Sequence, residues 1–371
     1  MFQGLPGGFQ YGLSMSDQRG FLNGISTLDL VMIQRHILGL DAFSDPRKVI
    51  AADVDNNGRV SSSDLIALRK GILGIASEFP NGQHSWRFIR ADYKFPDLNQ
   101  PFPFGEKYEY QTLNENKINQ NFFAIKIGDV NQSATVNPDD RSTEIRSSKP
   151  LVLTMDHVNG KRGDLIRVPV MNATETEVYG FQYTMSFDPS MLTFEGVEGG
   201  KYVGEQNMGL HLTKQGLITT AWHYQTPVLL EGGEELFTLV FRLNTEMEHS
   251  IPVSITSKIT PAAAYTSEME GLPVVLVPRT GTIPSSIAIL GSQPNPFTSL
   301  SVLTVQVPES SDMEMILTDV TGKVIQKRDF HLDQGVHQLE VDLSGSAYTG
   351  MILCTMRSGQ WTATQRLVRI R

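Results

Sequence analysis

The chain of 371 residues is short of several residue types that mark common classes of protein. Cys354 is the single cysteine, so an intrachain disulfide is impossible and the chain is not a disulfide scaffold. Lys and Arg number 31 against 40 Asp and Glu, which gives a formal net charge of −9. Nucleic-acid binders normally carry a basic patch, and we therefore predict no nucleic-acid partner.

Long apolar runs are also missing. No stretch reaches the roughly 18–20 apolar residues that span a bilayer, so no transmembrane segment is predicted. The start, MFQGLPGGFQYGLSMSDQRG, lacks both the basic and the apolar region of a secretory signal. Either the chain is cytosolic or it is the later part of a longer precursor, and the C-terminal residues bear on that choice.

Sequence motifs of common enzyme classes are absent. The chain contains no HExxH, GxSxG, Walker A loop or dinucleotide fingerprint, and Cys354 lies in an apolar run typical of a packed, unreactive thiol. A glycosidase pair of carboxylates depends on spatial separation and is invisible at this level. Three tryptophans could stack on sugars, although so few more often fill cores: Trp86, Trp222 and Trp361. We predict a protein that is not an enzyme.

An internal repeat occupies residues 1–75. Residues 23–39 read NGISTLDLVMIQRHILG and residues 57–74 read NGRVSSSDLIALRKGILG, with Asp29 and Asp64 at matching places 35 residues apart. Apolar residues follow the i, i+3, i+7 spacing of an amphipathic helix in both copies, and a glycine follows each helix. The repeat predicts two loop–helix units in tandem.

The loop of the second copy, DVDNNGRVSSSD at residues 53–64, carries the strongest chemical signal. Its oxygen side chains fall at positions 1, 3, 5, 9 and 12, with Gly58 at the sharp turn of position 6. This is the order in which an EF-hand-like loop surrounds calcium. Asp and Asn-Gly clusters also form metal-free turns, but the complete register favours Ca²⁺. The predicted ligands are Asp53, Asp55, Asn57, the Arg59 carbonyl, Ser61 and Asp64.

The first copy lacks such a loop. With Asp29 at position 12, the residues at positions 1, 3 and 5 are Gln18, Gly20 and Leu22, which form no calcium cage. Asp29 is therefore expected to cap its helix. The segment Asp129-Val-Asn131 resembles the start of a calcium loop, but nothing after it completes one. A second calcium ion at the first repeat stays an open question.

The rest of the chain divides by composition. Residues 76–135 form an irregular Pro/aromatic-rich extension, expected to pack on the repeat and to close on a short strand at 123–127. Residues 136–149 are polar and predict a linker. Residues 150–283 and 284–371 show short strands separated by turn residues, which predicts two β-sandwiches.

The segment DVDNNGRVSSSDLIALRKGILG resembles a type I dockerin, a family with two calcium loops that are each followed by a helix. The resemblance implies that Ser61 binds calcium through water. It also implies that four positions contact a cohesin partner: Ser62, Ser63, Arg69 and Lys70. The longer run from GISTLDL to KIGDVNQSA, with its WRF and PFPF signatures, resembles dockerin-like regions in surface proteins of gliding Bacteroidetes.

Residues 150–283 are similar to a cohesin or to its carbohydrate-binding-module relatives. The residues that carry this similarity are Gly163-Asp164 before a strand, then GFQYTMSFDPSMLTF and ELFTLVFRL. The resemblance implies that one sheet face binds a dockerin, and the sequence does not identify which face. The fold class predicted is multi-domain and mainly β: a small helical calcium-loop unit, a cohesin-like β-sandwich and a C-terminal immunoglobulin-like β-sandwich.

The tail from residue 292 resembles the type A C-terminal sorting domain of the type IX secretion system. The resemblance rests on Pro294-Asn-Pro-Phe297, the hairpin LTDVTGKVI, Gly335, Gly350 and the basic ending RLVRIR. It implies recognition by the outer-membrane translocon, removal by a sorting peptidase and a place outside the cell or on its surface. Because that exporter requires an N-terminal signal, we expect the chain to be an N-terminally incomplete part of a precursor.

Two functions follow from these resemblances. The first is the non-catalytic C-terminal part of a secreted or cell-surface protein, whose dockerin-like and cohesin-like modules serve in adhesion or as a scaffold. In this case the two modules bind each other, within or between chains. The alternative is the accessory region of a secreted polysaccharide-degrading enzyme with its catalytic domain upstream. In that case the sandwich binds a polysaccharide.

Overall fold

A computed structural model describes residues 4–135, 150–156, 158–249, 251–279, 287–293, 295–307, 310–332, 335–359 and 361–370. The chain is mainly β, with the α-helices of the described residues confined to the N-terminal region, and this confirms the predicted fold class. No helix in the described ranges is long and apolar enough to cross a membrane. The predicted linker at 136–149 lies outside the described residues.

The N-terminal unit contains three α-helices, a 3₁₀ turn at Pro80–Gly82 and four short strands among its described residues. The elements are β1 (Tyr11–Ser14), α1 (Thr27–Ile37), α2 (Pro46–Ala52), α3 (Ser62–Ile72), β2 (Trp86–Arg90), β3 (Lys107–Tyr110) and β4 (Phe122–Lys126). Strand β1 pairs with β3, and β2 pairs with β4, both antiparallel. The predicted strand near 123–127 is confirmed as β4, whereas α2 was not predicted.

The two repeat helices begin and end in the same way. Ser26 precedes α1 and Ser61 precedes α3, and each forms a capping box with the aspartate three residues later. Gly39 and Gly74 follow the helices with φ angles of 70° and 69°, a left-handed conformation that glycine adopts without a steric penalty. The predicted pair of loop–helix units is confirmed.

The extension after α3 shares a single core with the helices. Strand β4 and the residues next to it contribute Ile125, Ile127 and Val130, which are buried in one cluster with Leu30 of α1 and Leu68 of α3. Burial of apolar side chains is the main source of stability in such a unit. Residues 76–135 are therefore an integral part of the N-terminal fold.

The middle of the chain is a two-sheet sandwich. Its strands are β5 (Leu151–Asp156), β6 (Val158–Gly160), β7 (Leu165–Asn172), β8 (Thr176–Phe187), β9 (Leu192–Gly199), β10 (Met208–Gly209), β11 (Leu217–Leu230), β12 (Glu235–Leu243), β13 (Met247–His249), β14 (Val253–Thr256), β15 (Ala263–Thr266), β16 (Gly271–Leu272) and β17 (Val274–Arg279). One sheet has the order β10-β11-β8-β15-β16, with β14 also paired to β8. The other has the order β17-β5-β7-β12-β9, and β13 pairs with β6.

Strand β8 lies inside its sheet and is buried on both faces. Phe181 and Tyr183 point into the sandwich core with Trp222 of β11. The alternate residues Gln182 and Thr184 are fully buried as well, although they point away from that core. Polar side chains on an outward face are normally exposed to solvent, so another part of the chain must cover this face.

A second β-sandwich follows at the C-terminus. Its strands are β18 (Ala288–Gln293), β19 (Leu300–Val307), β20 (Ser311–Asp319), β21 (Val324–Leu332), β22 (Gly335–Asp342), β23 (Gly350–Ser358) and β24 (Trp361–Arg369). They form the sheets β18-β19-β22 and β21-β20-β23-β24. Cys354 is fully buried between them, and burial raises the pKa of its thiol to about 12. This confirms the predicted packed, unreactive cysteine.

Candidate functional site

The predicted calcium loop connects α2 to α3. Asp53 ends α2 and Asp64 lies in the first turn of α3, so two helices fix the two ends of the loop. One carboxylate oxygen from each of Asp53, Asp55 and Asp64 lies within 4.8 Å of the others. The structure thus brings three of the six predicted ligands together.

Backbone amides orient these carboxylates. The Asp53 carboxylate accepts hydrogen bonds from the N–H groups of Asn57 (2.9 Å) and Gly58 (3.0 Å). The Asp64 carboxylate accepts from the N–H groups of Asp55 (3.0 Å) and Ser61 (2.8 Å). Gly58, with a φ of 78°, makes the sharp turn that was predicted at position 6.

The remaining predicted ligands make local contacts. The side-chain oxygen of Asn57 accepts from the Arg59 N–H at 2.9 Å. The Ser61 hydroxyl lies 3.3 Å from Asp64 and 2.9 Å from the Ser63 hydroxyl. Both side chains lie at the rim of the loop, where a rotation about their own bonds redirects the oxygen.

The electrostatics of the loop fit a hard divalent cation. Burial, with added repulsion from the neighbouring carboxylates, raises the pKa of Asp64 to about 6, and burial also raises that of Asp53. One oxygen of Asp55, Oδ1, is buried and has no hydrogen-bond partner among the described residues. An all-oxygen donor set with an unsatisfied buried carboxylate oxygen suits Ca²⁺.

At the first repeat, Asp29 is fully buried and caps α1. Its Oδ2 accepts from the Ser26 N–H at 2.9 Å, which confirms the predicted cap. Its Oδ1 accepts from the N–H groups of Val130 (2.9 Å) and Asn131 (3.3 Å). The C-terminal segment of the N-terminal unit, at Val130 and Asn131, is therefore bonded to the first turn of α1.

The turn at Asp129 repeats the geometry of the Asp53 loop. The Asp129 carboxylate accepts from the N–H groups four and five residues later, Ser133 (3.0 Å) and Ala134 (2.8 Å), as Asp53 does. The N–H group two residues after Asp129, that of Asn131, donates to the Asp29 carboxylate. In the same way, the N–H group two residues after Asp53, that of Asp55, donates to the Asp64 carboxylate. The segment that completes this turn lies about a hundred residues earlier in the chain, so the residues after Asn131 show no calcium-loop pattern.

The segment around Asp129 is joined to the beginning of the N-terminal unit by further hydrogen bonds. The Asn23 amide donates to the Thr135 carbonyl (2.8 Å) and accepts from the Thr135 N–H (3.0 Å), joining the two ends of the unit. Burial raises the pKa of both Asp29 and Asp129, and the negative charge of Asp129 raises that of Asp29 further. Sequence reasoning missed this pairing, although the shared Asp-Val-Asx pattern at 53 and 129 was a usable signal.

Helix α1 covers the outer face of β8. The Thr27 N–H and hydroxyl both donate to Oε1 of Gln182, at 2.6 and 2.8 Å. Leu28 packs against Ala263 and Tyr265 of β15. Gly180 allows this close approach, because a Cβ there would lie 2.9 Å from the Thr27 methyl carbon and 2.5 Å from a backbone oxygen of β11.

The C-terminal end of α3 docks on the same face. The Thr219 hydroxyl donates to the Leu73 carbonyl at 2.7 Å, and the Thr260 hydroxyl donates to the Ile72 carbonyl at 2.6 Å. Both hydroxyls are buried. They satisfy two of the carbonyl groups that every helix leaves unpaired at its C-terminus.

Two arginines extend the contact. Arg35 of α1 donates to the Tyr179 hydroxyl at 3.0 Å, with its guanidinium 5.5 Å from the ring centre. Arg69 of α3 lies 3.4 Å from Nδ1 of His223. Of the four positions that the dockerin resemblance implies as contacts, Arg69 faces the sandwich, whereas Ser63 donates to Asp55 at 2.5 Å.

Trp222, considered as a sugar platform, is only 3% exposed. It packs against Phe181 and Tyr202 within the sandwich core. A sugar cannot stack on a ring that the core covers, so this tryptophan fills the core, which is the interpretation that the sequence favoured over sugar contact.

Comparison with known families follows the same division of the chain. Residues 23–73 match the model of the dockerin type I domain, and residues 151–276 match that of the cohesin domain. Both domains are non-catalytic interaction modules, typical of extracellular or cell-surface proteins. The comparison with curated proteins found no match.

Similar solved structures include cohesins, alone and with dockerins. A type I cohesin–dockerin complex of Clostridium thermocellum (Coh-OlpA-Doc918) is 14% identical, covers 35% of this chain and 99% of its own, and has a TM-score of 0.27. The third cohesin of ScaC from Acetivibrio cellulolyticus, in complex with the ScaB dockerin, is 17% identical. The match covers 34% of this chain and 92% of that cohesin, with a TM-score of 0.27. A non-cellulosomal cohesin from Archaeoglobus fulgidus is 18% identical. The match covers 34% of this chain and 91% of that cohesin, with a TM-score of 0.24.

The interface predicts a specific effect for Gln182→Leu. Loss of the amide removes both bonds to Thr27 and leaves a buried N–H unpaired, which costs about 1–3 kcal/mol. We expect lower stability in urea and faster hydrogen exchange at the start of α1. The exposed Gln215→Leu on the same sandwich is the control. Unchanged exchange in Gln182→Leu would contradict the role of this contact.

The buried His223 predicts a pH dependence of the interface. Burial and the charge of Arg69 hold the pKa of His223 at about 3, below its ordinary value of 6.5. Separation of the units releases the histidine, so the bound arrangement is fully stable above pH 6.5. It weakens as the pH falls towards 3, by at most about 1.4 kcal/mol per pH unit.

Hydrogen exchange of α1 and α3 at pH 5 and pH 7.5, corrected for intrinsic rates, measures this effect. The variant His223→Gln should flatten the difference. An equal pH dependence in that variant would show that another group is responsible.

Proposed function

We propose that this chain is a calcium-dependent adhesion or scaffold protein in which the dockerin-like unit is bound by the chain's own cohesin-like sandwich. The docking of α1 and α3 on the face of β8 and β11 carries this proposal. Thr27 with Gln182, Thr219 with the Leu73 carbonyl and Thr260 with the Ile72 carbonyl pair buried polar groups across the contact, as in a specific protein interface. An outside cohesin or dockerin is then a competing partner.

The metal in this proposal is Ca²⁺. Its ligands are the carboxylates that the structure gathers, with three further oxygens from the loop: Asp53, Asp55, Asn57, the Arg59 carbonyl, Ser61 and Asp64. When bound, the ion would offset two of the three negative charges and link the end of α2 to the start of α3. Since the far end of α3 docks on the sandwich, the loop and the interface share one helix.

Asp55→Ala tests the calcium site. We expect at least a tenfold loss of calcium affinity in titration calorimetry, because the variant removes a negatively charged ligand. Asp41→Ala, which removes an exposed carboxylate just after α1 and outside the loop, should bind calcium as the wild type does. Equal affinity of Asp55→Ala and wild type would refute the site.

A second calcium equivalent that keeps its wild-type affinity in Asp55→Ala must bind elsewhere. In the described part of the chain, Asp29 and Asp129 form the other pair of buried carboxylates with the same arrangement. The number of equivalents measured by calorimetry therefore answers the question left open for the first repeat.

Removal of calcium should also loosen the interface. With a chelator in excess, we expect a lower melting temperature of the full chain and increased exchange at the end of α3, since the loop carboxylates then repel each other. Exchange in the C-terminal sandwich serves as an internal reference and should not change. If the chelator leaves hydrogen exchange at the interface unchanged, docking does not depend on calcium and this prediction is wrong.

Export by a C-terminal sorting domain remains part of the proposal. It is supported by the ordered motifs of residues 292–371, which would be recognised by the type IX translocon and its sorting peptidase. In a host with this system, a precursor with a signal peptide should stay inside the cell when residues 284–371 are deleted. Secretion of the truncated protein would contradict this role.

The alternative, an accessory region of a polysaccharide-degrading enzyme with a sugar-binding sandwich, is less well supported. Burial of Trp222 removes its main candidate for sugar stacking. Retention of the full chain on an insoluble polysaccharide would favour it.

A further inference from the structure

The segment that follows α3 holds the predicted calcium loop from outside. Three side-chain amides donate to three backbone carbonyls of the loop. The bonds are Asn81 Nδ2 to Asp55 O (2.7 Å), Gln83 Nε2 to Asp53 O (2.8 Å) and Gln100 Nε2 to Gly58 O (3.0 Å). The carbonyls belong to positions 1, 3 and 6 of the loop, so the clamp touches the peptides that orient the ligands.

Gln83 is the buried member of this set, at 6% exposed. Its amide oxygen accepts from Nη1 of Arg87 at 3.1 Å, which fixes the direction in which its NH₂ group points. Arg87 also donates to the side-chain oxygen of Asn56 at 3.0 Å. Asn56 has a φ of 56°, so this bond holds the loop at a backbone conformation that few residues adopt.

Arg87 is itself fixed on its other side. It forms a two-point ion pair with Glu106, at 2.6 and 2.7 Å, and its guanidinium lies 4.7 Å from the ring centre of Phe104. A groove of about 420 Å³ runs between this pair and the loop. Glu106 balances the positive charge that Arg87 brings close to the carboxylates.

We propose that Gln83 and Gln100 are positioning residues for calcium, and that residues 81–106 act as a clamp that holds the loop in its binding conformation. A calcium loop normally becomes ordered when the ion binds, and the ordering lowers the affinity. A loop whose carbonyls are already held loses less conformational freedom. The clamp therefore raises calcium affinity and slows calcium release.

This inference rests on the proposed calcium site. Calcium is titrated into the full chain by calorimetry, and its release is timed with a fluorescent chelator. Gln83→Leu and Gln100→Ala should each lose roughly threefold to tenfold in affinity, the effect of one lost hydrogen bond. Gln120→Ala is the control, because that amide donates to the Ile118 carbonyl (2.7 Å) in the same extension and away from the loop.

The outcomes separate the two proposals. If wild type binds no calcium, the metal site itself is refuted. If wild type binds and both variants match it in affinity and release rate, the clamp alone is refuted. Gln100 is exposed, so Gln100→Ala remains decisive even if the buried Gln83→Leu fails to fold, and a normal melting curve in saturating calcium confirms that a variant is folded.

Discussion

The outer face of β8 is the surface on which the arrangement of the first two units depends. Its residues are small or polar, and they are buried: Gly180, Gln182 and Thr184. A buried amide with free donors and acceptors is costly, and Gln182 avoids this cost by accepting from Thr27 and donating to the Pro261 carbonyl. The sandwich is therefore built to be covered by a helix start.

Helices α1 and α3 can cover that face together only when their relative position is fixed. Their shared core supplies this, with Leu30 and Ile33 of α1 packed in one cluster with Leu68 of α3. Two carboxylate-centred closures act at the helix starts, one at Asp64 and one at Asp29. The loops therefore fix the positions of the helix starts. Because the end of α3 is hydrogen-bonded to the sandwich, the loop before α3 also affects how this helix docks there.

Local patterns in the sequence were sufficient for the helices, their caps and the Asp53 loop, because these depend on residues within a dozen positions of each other. They were insufficient for Asp129, whose partner Asp29 lies a hundred residues away. They also failed for the docking face: Gln182 and Thr184 alternate with aromatic residues as on a solvated strand. The covering helix belongs to a distant segment that periodicity cannot detect.

The covalent connection gives the internal contact an advantage over outside partners. If residues 136–149 form the linker that their composition predicts, two modules joined by so short a segment meet at an effective concentration of about millimolar. A free dockerin must overcome that concentration by tighter binding at the same face. On the proposed calcium site, we expect loss of calcium to weaken the internal contact without changing the linker, as loss of the contacts at Gln182 would.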